Sequence, residues 1–106
     1  MDFGEITITD AGGGQRTAEL NRATVRIGRA PDNDVVLDEE EVALQHAELL
    51  CDPSGCMVFD LSGGKTLLDG APLAENPQLL ARRSMQLPTA LTLRCSGLIC
   101  PLMPSL

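Results

Sequence analysis

The chain predicts an all-β sandwich. Three observations carry this. Short segments alternate apolar and polar residues, turn-forming Gly, Pro, Asp and Asn separate them at short intervals, and helical periodicity is weak throughout.

The elements follow in order. Ile6 and Ile8 alternate with Glu5, Thr7 and Thr9, the pattern of a half-exposed strand. Ala11-Gly12-Gly13-Gly14-Gln15 is a flexible turn, and Thr17 to Leu20 forms a short strand. Thr24-Val25-Arg26-Ile27 alternates again, with Val25 and Ile27 inward. Ala30 to Asn33 is a loop, and Val35-Val36-Leu37 is a short apolar strand. Gln45 to Cys51 and Cys56 to Leu61 make a hairpin around Asp52-Pro53-Ser54-Gly55. Thr66-Leu67-Leu68 and Ala71-Pro72-Leu73 make another around Asp69-Gly70, a strong type I′ signal. Ala74 to Gln78 is loop. Leu79 to Arg83 is the single candidate helix, too short to stand alone. Ser84 to Leu87 and Ala90 to Cys95 complete the strands. No internal repeat and no domain boundary falls before residue 96, so we expect a domain over 1–96 and a tail, last strand or linker over 97–106.

At 106 residues the chain is one domain's worth, with a small core. Two Phe, no Trp and no Tyr leave that core to aliphatic residues, Met and Cys. The formal net charge is −7, from 8 Lys and Arg against 15 Asp and Glu. Such a surface repels nucleic acid and anionic membrane, and the scarcity of aromatics removes stacking platforms for single strands. The acidic start lacks the basic and apolar regions of a signal peptide, and no stretch is apolar and long enough to span a bilayer. The expected location is cytoplasmic, in a free protein or in the cytosolic part of a larger one.

Four cysteines form two C-x4-C pairs, Cys51 with Cys56 and Cys95 with Cys100. A four-thiolate zinc site is one reading, although zinc pairs more often stand two residues apart. Buried core cysteines are the preferred reading. Cys51 and Cys56 flank the 52–55 turn and could face each other across a hairpin, where a disulfide is geometrically possible but would not persist in a cytosolic setting.

Ile27-Gly28-Arg29, the run Asn33-Asp34-Val35-Val36-Leu37, His46-Ala47, Asp60-Leu61-Ser62 and Thr66-Leu67-Leu68-Asp69-Gly70 occur in one order over most of the chain. This order resembles the forkhead-associated (FHA) domain. The resemblance implies an FHA-type (SMAD/FHA-like) β-sandwich of two mostly antiparallel sheets with about 10–11 short strands. It also implies a phosphothreonine-peptide site on loops at one end, with no cofactor and no metal. By the same resemblance Arg29 contacts the phosphate, His46 hydrogen-bonds the loops that shape the site, and Gly28, Thr66 and Gly70 are scaffold positions. Leu80 through Leu93 resembles the family's closing strands, with Arg83-Ser84 in place of the usual Gly-Asp.

The contact positions depart from that pattern. The loop before the histidine usually reads Val-Ser-Arg-x-His-Ala; here it is Val42-Ala43-Leu44-Gln45-His46-Ala47. Ala43 and Leu44 carry no side-chain donors. A phosphate oxygen left without a partner there costs about 1–3 kcal/mol per group. The second loop usually reads Asp-Leu-Gly-Ser-Thr-Asn-Gly-Thr; here Asp60-Leu61-Ser62-Gly63-Gly64-Lys65-Thr66 is one residue shorter. Gly63 and Gly64 replace the threonine and asparagine. A retained site would then use Arg29, Ser62, Lys65 and the Gly63 and Gly64 amides as an anion nest. Without the surrounding pattern, Arg29 reads as a surface arginine paired with Asp32 or Asp34.

Six acids fall between 32 and 41 with no Lys or Arg among them. Asp38, Glu39, Glu40 and Glu41 read either as a solvated loop or as a docking face for a basic partner. A calcium loop fails because Val36 occupies the third ligand position. Gly64-Lys65-Thr66 imitates the end of a P-loop, but Phe59 stands where its first glycine belongs. Ser62 and Ser84 lack a nucleophile-elbow context, and lone His46 has no catalytic partner, so no catalytic residues are expected.

The expected function is a non-catalytic protein-interaction module with weakened or lost phosphothreonine recognition. Its partner would be another protein or peptide, basic or phosphorylated, or a second copy of itself. The alternatives are a working phosphothreonine-peptide domain using Arg29 and a small zinc domain using the four cysteines. The runs Asp38 to His46 and Leu68 to Leu73 loosely resemble degenerate FHA domains of type III secretion rings, and bacterial signalling proteins carry similar modules.

Overall fold

In the computed structural model, the described residues are 4–52, 55–73, 77–80 and 83–96. Eleven strands run β1 (Glu5–Thr9), β2 (Gln15–Glu19), β3 (Thr24–Gly28), β4 (Val35–Val36), β5 (Ala47–Asp52), β6 (Gly55–Asp60), β7 (Leu67–Leu68), β8 (Ala71–Pro72), β9 (Gln78–Leu79), β10 (Ser84–Leu87) and β11 (Leu91–Ser96). They form two sheets, ordered β2-β1-β11-β10-β7-β8 and β4-β3-β5-β6-β9. Every pairing is antiparallel except β3 with β4. The all-β sandwich expected from the pattern is the fold observed.

Strand alternation sorts the core from the surface. Val25 and Ile27 of β3, Leu49 of β5 and Val58 of β6 point inward from one sheet. Ile6, Met85 and Leu93 point inward from the other, and each is fully buried. The buried hydrophobic cluster is aliphatic apart from Met85, Cys51 and Cys56. Burying such side chains at roughly 25 cal/mol per Å² of apolar area is the main stabilising term. On one side of the sandwich, an Arg16 Nη2 on edge strand β2 donates to the Val36 carbonyl of edge strand β4, tying the two sheets together.

Two turns obey local chemistry. Asp69 and Gly70 both take positive φ, 52° and 84°, as the type I′ reading requires, and join β7 to β8. The β5–β6 hairpin pairs Asp52 with Gly55 directly.

The candidate helix over 79–83 is corrected at its start, Ala81 and Arg82 lying outside the described residues. Gln78 and Leu79 form β9, which pairs with Val58 and Met57 at the edge of the second sheet. Leu80 donates its N–H to the Cys56 carbonyl at 2.9 Å and is fully buried. A partner edge satisfied these backbone groups more fully than one isolated helical turn would.

Cys51 and Cys56 are directly opposed across β5 and β6, with Cα atoms 4.1 Å apart, and are joined as a disulfide. The zinc reading finds no support: no metal-holding cluster exists among the described residues. Cys95 sits on β11 of the other sheet, opposite Ile6, and Cys100 lies outside the described residues. No helix among the described residues is long and apolar enough to cross a membrane.

Candidate functional site

Connections after β3, before β5, after β6 and after β10 converge at one end of the sandwich. There a cavity of about 390 Å³ is lined by Arg29, Glu40, Glu41, Val42, Ala43, Lys65 and Pro88. Residues separated by as many as 59 positions in the chain thus share one small surface.

The arginine is held by backbone. Where β3 ends, the chain continues beside the 42–44 loop: Arg29 N–H donates to the Ala43 carbonyl at 3.0 Å, and Ala30 N–H to the Leu44 carbonyl at 3.2 Å. The Arg29 Nε donates to the Val42 carbonyl at 3.0 Å. That bond orients the guanidinium while leaving its terminal nitrogens for a ligand. The expected alternative, pairing with Asp32 or Asp34, is not what forms: Asp34 meets Arg22 at 3.2 Å and accepts the Arg26 N–H, and among the described residues no ion pair joins Arg29 to Asp32.

Gly28 is demanded by the same close approach. A Cβ built there would collide with the Leu44 carbonyl oxygen and lie 2.9 Å from Asn33 Nδ2. Asn33 is buried, and its Nδ2 bridges the Ala30 and Leu44 carbonyls at 2.8 Å each.

His46 is fully buried and joins three segments. Its N–H donates to the Ile27 carbonyl, its carbonyl accepts the Leu61 N–H, and its Nδ1 accepts the Ala43 N–H at 3.1 Å. Burial depresses its pKa below the ordinary 6.5; the Lys65 backbone and Asp60 oppose that only in part. The ring is therefore neutral at pH 7.

The second loop is organised by Asp60. Its Oδ1 accepts the Ser62 N–H at 3.1 Å, the Ser62 hydroxyl at 2.5 Å and the buried Thr66 hydroxyl at 2.7 Å. Its Oδ2 accepts the Gly64 N–H at 2.7 Å. Burial pushes the Asp60 pKa up, but these hydrogen bonds outweigh it and hold the carboxyl below its usual 3.8. The Ser62 Oγ also accepts the Lys65 N–H at 2.9 Å.

Two donors of the expected anion nest, the Ser62 hydroxyl and the Gly64 N–H, both point at Asp60. Positive φ at Gly63 and Gly64, 82° and 110°, lets the loop turn back so that the Gly64 N–H meets the carboxylate.

Of the expected residues, Arg29, Ala43, Lys65, Glu40 and Glu41 line the cavity, while Ser62, Gly63, Gly64 and Leu44 do not. Leu44 is 54% exposed and Leu61 50%, leaving two large apolar side chains in water on neighbouring loops. Asp38 and Glu39 line a different cavity, of about 280 Å³, beside Arg16 and Asp10. Sequence reasoning missed Pro88, which carried no local signal, and the organising role of Asp60, which Asp-x-Ser-x-Gly spacing could have suggested.

The family model of the FHA domain matches residues 25–85, more than half of the chain. The chain belongs to the FHA-domain family. FHA domains are non-catalytic interaction modules. One curated relative, the ABC transporter ATP-binding/permease protein Rv1747 of Mycobacterium tuberculosis, is 42% identical over 59 residues, which is 55% of this chain and 7% of that protein. Mycobacterium tuberculosis EmbR, solved in complex with a low affinity phosphopeptide, superposes with a TM-score of 0.71 at 25% identity, over 89% of this chain and 25% of that one. The FhaA FHA domain, solved in complex with the intracellular domain of Rv3910, has a TM-score of 0.71 at 25% identity, covering 86% of this chain and 99% of that domain. The chain thus spans only a small part of Rv1747 and a quarter of the EmbR chain.

Proposed function

We propose that this FHA domain, over residues 1–96, is an assembly module whose association with its protein partner does not depend on phosphothreonine. One observation carries the reading: Asp60 consumes the Ser62 and Gly64 donors, so the loop that would surround a phosphate satisfies itself. Ala43 and Leu44 add no donors on the facing loop. Glu40 and Glu41 line the same cavity as Arg29 and Lys65, so the local charges offset one another and a dianion gains little. The exposed Leu44 and Leu61 supply apolar area for a partner, and Glu40 and Glu41 favour basic residues at its rim.

A second reading keeps phosphothreonine recognition. It rests on Arg29 and Lys65 lining one cavity and on the phosphopeptide bound to the related EmbR.

Calorimetric titration with matched phosphothreonine and threonine peptide libraries separates the two. Under the first reading, phosphorylation adds less than about 1.4 kcal/mol, a factor of ten. Ala43→Ser with Leu44→Arg then raises phosphopeptide affinity by about tenfold or more, since each charge-assisted bond contributes about 1.5–3 kcal/mol. Micromolar, phosphate-dependent binding by the unaltered chain, abolished in Arg29→Ala, establishes the second reading instead.

A further inference from the structure

The cavity at the Arg29 end is lined by two cations and two acids that do not pair with one another. Arg29 and Lys65 share it with Glu40 and Glu41, yet among the described residues none of the four joins another in an ion pair. The Arg29 stem is pinned, its Nε donating to the Val42 carbonyl and its backbone N–H to the Ala43 carbonyl. Both terminal nitrogens keep their protons for a ligand. Two parallel N–H bonds from such a fork match the two oxygens of a planar carboxylate. The exposed Lys65 side chain adds a second, adjustable cation.

Counting donors distinguishes the anions. The fork and Lys65 together supply three charge-assisted bonds. Over the two oxygens of a carboxylate these fill most of the lone pairs. Over the three terminal oxygens of a phosphothreonine they leave one bond each. The neighbouring loops add little, since Ala43 and Leu44 have no side-chain donors and the Ser62 hydroxyl and Gly64 N–H point at Asp60.

Charge argues the same way. Two cations against two acids leave no net formal charge around the cavity. Attraction for a ligand grows in proportion to the ligand's charge, whereas the cost of taking it out of water grows as the square of that charge. Where the attraction is nearly cancelled, a dianion is penalised more than a monoanion.

We propose that the partner presents an aspartate or glutamate side chain to Arg29 and Lys65, beside an apolar residue that covers the exposed Leu44 and Leu61. This rests on the phosphate-independent reading above and names the group that takes the place of the phosphate.

Calorimetric titration of the full chain with short capped peptide pools tests it. The pools are degenerate except for a leucine beside a fixed central residue, which is Glu, Gln, Thr or phosphothreonine. The Glu pool should bind about tenfold tighter than the Gln pool, and tighter than the phosphothreonine pool. Lys65→Gln should reduce the preference for Glu over Gln by about threefold. Arg29→Lys keeps the charge but removes the fork, and should abolish most of that preference. Circular dichroism checks that both variants keep their strands. Glu40→Gln with Glu41→Gln should bring the phosphothreonine pool closer to the Glu pool, because the doubly charged ligand gains more.

Equal binding of the Glu and Gln pools, or binding by neither, overturns the carboxylate and leaves the phosphate-independent reading standing. So does a Gln pool that matches the Glu pool once its C-terminus is uncapped, which assigns the site to a chain end. A phosphothreonine pool at least as tight as the Glu pool overturns the carboxylate, and one more than about tenfold tighter than the threonine pool overturns the phosphate-independent reading as well.

Discussion

The Nδ1 of His46 accepts the backbone N–H of Ala43 at 3.1 Å. The loop that carries Ala43 and Leu44 is thus shaped by a buried histidine. An accepting Nδ1 places the ring proton on Nε2. A second proton would set a donor against the Ala43 N–H.

This makes stability fall in mild acid. The folded His46 pKa lies below 6.5, so the unfolded chain binds the proton more readily. Its contribution is complete above 6.5 and is lost as pH falls from there toward the depressed folded value. Asp60 acts in the same direction at lower pH, its contribution being lost below 3.8. Urea denaturation should show stability dropping from about pH 7 to about pH 5, with a flatter profile in that window for His46→Asn.

Gly28→Ala should cost about 2–3 kcal/mol, because the new methyl meets the backbone carbonyl of Leu44 rather than a movable side chain. Gly12→Ala is the control. Its Cβ would find only the Asp10 carboxylate at 3.5 Å, and its effect should stay within about 1 kcal/mol. Chemical denaturation of both variants measures the difference.

Thr89, in the turn between β10 and β11, sits at a φ of 66° and is followed by Ala90 at 61°. A β-branched residue there is strained by roughly 1–3 kcal/mol. Glycine relieves that strain and loses about 0.4–1 kcal/mol through the unfolded chain. Thr89→Gly should therefore raise stability by about 1 kcal/mol, seen as a higher melting temperature.

Reducing the Cys51–Cys56 bond should lower stability by only about 2 kcal/mol. The two residues are five apart, and opening so short a loop returns little entropy to the unfolded chain. Thermal melts with and without dithiothreitol should differ by that amount, and Cys51→Ala with Cys56→Ala should abolish the difference.

Much of the fold was legible before any coordinates. Alternation at Ile6 and Ile8, at Val25 and Ile27, and the Asp69-Gly70 turn are local signals, and all three appear where expected. The Leu79 segment misled because a two-residue strand has no period of its own; only the Met57 edge makes it one. At the Arg29 end, Ala43 and Leu44 announce missing donors by their chemistry alone. Ser62 and Gly64 do not, since both residue types can donate, and only their hydrogen bonds reveal that Asp60 already holds them.

Composition and periodicity by themselves determined that this chain is an all-β sandwich with an aliphatic core and an acidic surface. Those properties depend on neighbours within a few residues. The tertiary structure decided which residues share the cavity around Arg29, why Gly28 admits no side chain, and which loop donors remain free. Each of these is a contact between distant segments, and hydrogen bonds act only over about 3 Å, so it exists only once the loops have been brought together.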